Sequence, residues 1–195
     1  MGRSNVAIAI AGRKNTGKST WLEERARKMK ANTGKKVLII DVNASPAYSH
    51  YQLLSYNGLE SWCKNHDTGI KRFFDSDYDK MFSVIPKHFK NGGLILEDCT
   101  KYIPAIPSPE IKTYLVDHRM WNVDLFFTFH ALEFIPKFFF KMITHYTVFK
   151  TQDILDNRDR ELRKRFPNYD VLKKAWDDVM KSSNEHANRT VPTLM

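Results

Sequence analysis

Gly12-Arg13-Lys14-Asn15-Thr16-Gly17-Lys18-Ser19 fits G-x-x-x-x-G-K-[ST], the phosphate-binding P-loop. The flanks agree with it. Val6 to Ala11 is a short apolar run ahead of the loop, and Thr20 to Ala31 follows with Leu22, Ala26 and Met29 at helical spacing. Strand, glycine loop and helix therefore come in the order that a phosphate cradle needs. Gly12 and Gly17 let the backbone curl so that its N–H groups converge on phosphate oxygens, and the helix N-terminus adds partial positive charge. The whole segment from Gly12 to Thr20 is expected to hold a nucleoside triphosphate, with Lys18 at the β- and γ-phosphates and the Ser19 hydroxyl on Mg²⁺. ATP and Mg²⁺ are the expected cofactors.

Composition sets the outer bounds. A chain of 195 residues holds one well-cored domain, and its 42% hydrophobic and 27% charged content is that of a globular protein. Thirty-one basic against 22 acidic residues leave a net charge of +9, which favours polyanionic partners such as nucleic acid. Cys63 and Cys99 form no metal-site spacing and read as reduced thiols. No apolar run is long enough to span a membrane, and Met1-Gly2-Arg3-Ser4 runs straight into the first strand rather than a signal peptide. A cytoplasmic protein is expected, with one domain over residues 1–181 and a loose polar tail over 182–195.

Further along, Val37 to Val42 reads as a buried parallel strand ending at Asp41. Asn43 to Asn57 shows no period. Leu59 to Asn65 predicts a short helix, Gly69 to Phe74 a strand and Asp77 to Lys90 a helix. Asn91-Gly92-Gly93 turns into Leu94-Ile95-Leu96-Glu97-Asp98, an apolar strand ending in two carboxylates. Glu110 to Asn122 predicts a helix with His118 and Arg119 near its end, and Asp124 to His130 another strand. Phe138 to Ile143 is a short helix or turn, Tyr146 to Lys150 a final strand, and the rest helical. The alternation describes an α/β three-layer sandwich around a mostly parallel sheet.

Glu97 and Asp98 are the second pillar of the site. Hydrolysis needs a carboxylate near Mg²⁺ and another group to polarise water, and this strand end supplies both. His130, closing a buried strand, either faces the γ-phosphate or is a satisfied edge histidine. Arg119 is either a solvated surface arginine or a finger for a neighbouring subunit's γ-phosphate. The run Arg158-Asp159-Arg160-Glu161-Leu162-Arg163-Lys164-Arg165 is either a DNA-facing surface or a solvated helix face.

Taken together, G-R-K-N-T-G-K-S, L-I-L-E-D-C, D-H-R and D-L-F-F-T-F-H-A resemble the HerA–FtsK superfamily of P-loop ATPases. Within it, the chain is most similar to small genome-packaging ATPases of membrane-containing viruses and to Zot-like phage assembly ATPases, over roughly Val6 to Asp153. The resemblance implies an extra strand, carrying Leu125 to His130, between the P-loop strand and the acidic strand. It also implies a sensor at His130, a trans-acting arginine at Arg119, and a ring of usually six subunits around DNA. The role would be a genome-packaging motor that works with capsid or portal-vertex proteins, in the host cytoplasm or associated with the virion. The family usually has Asp then Glu where this chain has Glu97 then Asp98; by position Glu97 takes Mg²⁺ and Asp98 polarises water, although the two could trade. No membrane span is expected after the domain, unlike in the Zot-like proteins, an expectation that favours soluble packaging over membrane-anchored extrusion. Two other readings stand beside this one, a small nucleoside or nucleotide kinase and a partition-type ATP switch. The switch proteins carry lysine after the first loop glycine, where this chain has Arg13.

Overall fold

The structure is a computed structural model that describes residues 5–65, 68–75, 77–153, 155–166 and 168–193, without the side chains of 156–159 and 161. In chain order, β1 (Ala7–Ala11), α1 (Lys18–Thr33) and β2 (Lys36–Ile40) are followed by the two-residue β3 (Leu53–Leu54) and α2 (Tyr56–Lys64). Next come β4 (Ile70–Phe73), α3 (Tyr78–His88), β5 (Gly92–Leu96), α4 (Pro109–Asp117) and β6 (Val123–Phe129). The chain closes with β7 (His145–Phe149), α5 (Leu155–Arg165), α6 (Tyr169–Lys181) and β8 (Asn188–Pro192). Four short 3-10 turns, at Pro46–Tyr48, Cys99–Lys101, Leu132–Phe134 and Lys137–Lys141, complete it.

The strands form one sheet in the order β3-β4-β2-β5-β6-β1-β7-β8, parallel except for the β7–β8 pair. Strand β6 lies between the P-loop strand β1 and the acidic strand β5, as the resemblance implies. Alternation along the strands divides the core between the two faces. Ile8, Ile10, Val37, Ile39, Ile95 and Phe126 pack with Leu22, Ala26 and Met29 of α1. Ala7, Ala9, Ala11, Leu38, Leu94 and Phe127 lie in the larger cluster with α2 to α6. Alanine at every second position of β1 has a packing reason. Ala9 and Ala11 pair in register with Phe127 and Phe129, and both of those rings meet Phe139 edge-on, with centroids 4.8 and 5.9 Å apart. Small side chains on β1 leave room for that aromatic cluster.

Three expectations need correction. Tyr146 to Lys150 is not the last strand, because 188–192 of the expected loose tail form β8 against β7, with Thr147 and Thr190 hydroxyls 2.9 Å apart. A bare β7 edge would expose a row of unpaired backbone groups, and pairing with β8 satisfies them. The predicted helix over Glu110 to Asn122 stops at Asp117. From there a tight turn returns the chain to the sheet, with Val123 N donating to His118 O and Asn122 at φ 56°. The stretch Asn43 to Asn57, read as irregular, carries the edge strand β3 and the 3-10 turn that buries Tyr48. The tip at Met1–Ser4 and the last two residues lie outside the described residues.

Gly92 opens β5 where β2 and α3 crowd it: a Cβ there would sit 2.7 Å from the Lys36 carbonyl oxygen and 2.6 Å from Phe89 Cζ. Backbone cannot rotate away as a side chain can. Gly92→Ala is therefore expected to destabilise the protein by about 1–3 kcal/mol, read as a lower urea midpoint at unchanged slope.

Candidate active site

The phosphate loop hangs between two strands. Gly12 N donates to Phe129 O at the end of β6 (3.1 Å) and Arg13 N to Lys150 O beyond β7 (2.7 Å). A Cβ on Gly12 would stand 2.6 Å from Phe149 Cβ, so only glycine allows this approach. Asn15 at φ 63° and Gly17 at φ 86° turn the loop left-handed, and the buried Thr16 hydroxyl ties it to Arg13 O (2.9 Å). Lys18 Nζ donates to Gly12 O and Arg13 O at 2.6 and 2.7 Å. Burial pushes the Lys18 ammonium below its ordinary value, against the pull of Glu97 and Asp98. Thr20 belongs to the first turn of α1 with Ser19.

Glu97 and Asp98 sit just past β5, both buried, and face different neighbours. Glu97 accepts from the Tyr48 hydroxyl and, at 3.5 Å, from Thr128. Burial raises its pKa, while the Tyr48 and Ser19 hydroxyls and Lys18 pull the other way without cancelling the effect. Asp98 is in the left-handed region at φ 51°, a conformation that costs a non-glycine residue about 1 kcal/mol or more. Its backbone N–H donates to Thr128 Oγ1 at 2.6 Å. That geometry turns the Asp98 carboxylate to His130 Nε2 (2.9 Å), Thr100 (2.8 Å), Lys101 (3.3 Å) and Asn43 (3.4 Å). Burial raises the Asp98 pKa, but these hydrogen bonds and charges outweigh it and the net direction is down.

Lys18, Ser19, Glu97, Asp98 and His130 thus gather at the carboxyl end of β1, β5 and β6. Arg119 does not join them. It lies in the turn ahead of β6, and that strand's seven residues separate it from His130 by roughly 20 Å. Arg119 lines a concavity of about 750 Å³ at the other end of the sheet, shared with Lys137, Lys141, Arg163, Lys164 and Arg165. No carboxylate is among its described lining residues, although Arg163 pairs with Asp170 at 2.8 Å. The Arg158 side chain lies outside the described residues. Asp41 ends β2 as expected, with its carboxylate on Ser45 N (2.9 Å) and Arg72 (3.4 Å), holding the loop that carries Tyr48.

Several participants escape a reading of the sequence. Thr128 could have been noticed as the one polar residue inside the run Leu125 to Phe129. Tyr48, Asn43, Lys150 and Glu185 carry no local signal, because chain-distant packing brings them in. Glu185 bridges Arg13 at 2.6 Å and Lys150 at 3.1 Å.

The donor set suits Mg²⁺. The buried Glu97 carboxylate and the Ser19 hydroxyl offer hard oxygens of the kind that could hold this ion, which ordinarily takes the remainder of its shell from phosphates and water. Among the described residues no cluster of three or more His, Cys, Asp or Glu could hold a metal ion by itself. Cys63 and Cys99 are separate buried thiols, Cys63 pushed up to about 12 by burial.

A P-loop, a buried acid pair one strand away and an inserted strand between them define the P-loop NTPase fold in its additional-strand form. Solved structures agree on the fold. The genome packaging NTPase B204 from Sulfolobus turreted icosahedral virus 2, in complex with ATPγS, superposes with a TM-score of 0.76 at 16% identity, covering 97% of this chain and 93% of that one. Its complex with AMPPCP gives 0.75 at 17% identity, over 96% and 92%. B204 from Sulfolobus turreted icosahedral virus, a DNA-packaging ATPase, gives 0.70 at 15%, over 97% and 98%. The fold is that of the viral packaging ATPases the sequence resembles. No protein-family model matches the chain, and no curated protein does. Among the described residues no helix is long and apolar enough to cross a membrane.

The two acids should respond oppositely to pH in the protein without added nucleotide. Glu97 is held above its ordinary 4.5, so its contribution is complete below that value and lost as pH rises through the native pKa. Glu97→Gln is expected to raise the melting temperature at neutral pH, with the gain vanishing below about pH 4.5. Asp98 is held below its ordinary 3.8, so its contribution is present above that value and lost as pH falls through the native pKa. Asp98→Asn should cost about 1–3 kcal/mol at neutral pH, shrinking in acid. Thermal unfolding of both variants across the acid range checks the signs.

Proposed function

We propose that this chain is the ATP-hydrolysing subunit of a motor that moves DNA into a viral or phage particle, using Mg²⁺ and assembling as a ring. The observation that carries the reading is the pair of acids with separate environments beside one phosphate loop. Glu97 stands with Ser19 and Lys18, where metal and phosphate charge belong. Asp98 stands with His130, 2.9 Å away, on the strand inserted next to the loop. In this reading Lys18 neutralises charge at the β- and γ-phosphates, and Ser19 and Glu97 hold Mg²⁺. Asp98 accepts a proton from the attacking water, and His130 steadies the Asp98 carboxylate and senses the γ-phosphate. The ion's contribution is to withdraw charge from the phosphate oxygens. Lys18→Ala is expected to lower ATP turnover roughly a hundredfold or more with the melting curve little changed. An unaltered rate would overturn the assignment.

Arg119 is too far from its own loop to act there, so in this reading, which rests on the family resemblance, its target is a neighbour's nucleotide. Arg119→Ala should bind ATP normally and turn it over slowly, since trans-acting arginines are worth roughly 10³–10⁵-fold. Mixing it with Asp98→Asn should restore some hydrolysis, at interfaces where intact acids meet an intact arginine. Mixed rings, verified by native mass spectrometry, that remain inert would remove Arg119 from the mechanism.

The net charge of +9 and the carboxylate-poor lining of the concavity support binding through phosphates. DNA affinity should fall linearly in log salt with little sequence preference, and Lys137→Glu, Lys141→Glu and Lys164→Glu should each flatten the slope by about one. Salt-insensitive binding would argue against a translocase.

A further inference from the structure

Position in the sheet gives the bound nucleotide a direction. Both carboxylates lie on the β5–β6 side of the phosphate loop, so a γ-phosphate hydrolysed with their help would point that way. A triphosphate lying across the loop would then put its nucleoside on the opposite side, where β7 ends and β8 begins. The residues that meet it there belong to the link between α6 and β8, which no motif marks.

That link is built against the loop. Gly17 lies under the His186 ring: a Cβ there would be 3.0 Å from Nδ1 and 3.4 Å from Cγ. The link's own turn is closed by Asn184, whose Oδ1 accepts from His186 N (2.9 Å) and whose carbonyl accepts from Ala187 N (3.1 Å). Glu185 anchors it to two different elements, to Arg13 of the phosphate loop at 2.6 Å and to Lys150 past β7 at 3.1 Å. His186 is itself exposed, so its ring edges the phosphate loop and still meets solvent.

We propose that His186 is the base-stacking residue of the nucleotide site, with Glu185 as the positioning residue that holds its loop in place. The inference rests on the nucleotide-binding reading of the phosphate loop. An imidazole plane stacks on any nucleobase, because every base has a π-face. The Glu185 carboxylate is engaged by two cations and does not read the base edge. The subsite therefore accepts nucleoside triphosphates without distinguishing one base from another, adenine and guanine included.

Calorimetric titration of the full chain with Mg²⁺ and three probes, ATP, GTP and inorganic tripolyphosphate, tests this. The wild-type protein should bind ATP and GTP alike, and both more tightly than tripolyphosphate. His186→Ala should weaken ATP and GTP roughly tenfold and leave tripolyphosphate unchanged, and His186→Phe should restore the loss. Equal weakening of all three probes would show that the link merely braces the phosphate loop and would overturn the proposal. So would unchanged ATP affinity in His186→Ala, or a wild-type protein that binds tripolyphosphate as tightly as ATP. A wild-type protein that binds none of the three would sink the phosphate-loop reading, and the subsite with it.

Discussion

A phosphate loop functions only when amide groups that would rather face water are held pointing at one spot, and here two strand ends do the holding. Phe129 O and Lys150 O take the first two amide hydrogens of the loop, and the Phe149 side chain presses so close that Gly12 cannot carry a Cβ. The rest of the sheet follows from that clamp. Strand β6 must lie beside β1 to supply one carbonyl, which moves the acidic strand a position further out. The site then needs a residue that reaches from β6 to the acids, and Thr128 is that residue, accepting from Asp98 N while its hydroxyl donates to Glu97.

The acids illustrate how two adjacent carboxylates acquire different chemistry. Glu97 is almost wholly enclosed, and the hydroxyls around it do not compensate for lost hydration, so its carboxyl is held above the ordinary range. Asp98 is as deeply placed by area yet surrounded by donors and positive groups, which hold its carboxyl below the ordinary range. The left-handed backbone at Asp98 separates the two directions, because an extended residue there would have left the side chains on a regular alternation. Local strain at that position is the cost of the division.

Much of this was legible in the sequence because it is local. The loop and its flanks, the apolar strand ending in Glu97-Asp98 and the polar close of the strand at His130 all follow from neighbours in the chain, and the structure brings those residues together. The additional strand came from family resemblance, since no periodicity tells where in a sheet a strand goes. What escaped depends on distance along the chain. Tyr48 reaches Glu97 across 49 residues, and Glu185 reaches Arg13 across 172. Strand β8 was hidden for another reason: Asn188-Arg189-Thr190-Val191-Pro192 is polar and ends in proline, as suits an edge, and its one buried apolar residue, Val191, is too little pattern to read.

The two margins of the sheet are finished differently. On one side β8 runs antiparallel to its neighbour and presents arginine and proline outward; on the other, β3 is only two residues long. Neither offers the long, flat row of free amides on which a second chain could extend the sheet. Neither margin therefore invites a sheet that runs on from one copy of this protein into the next, and the surfaces left for contact are side chains on loops and helices.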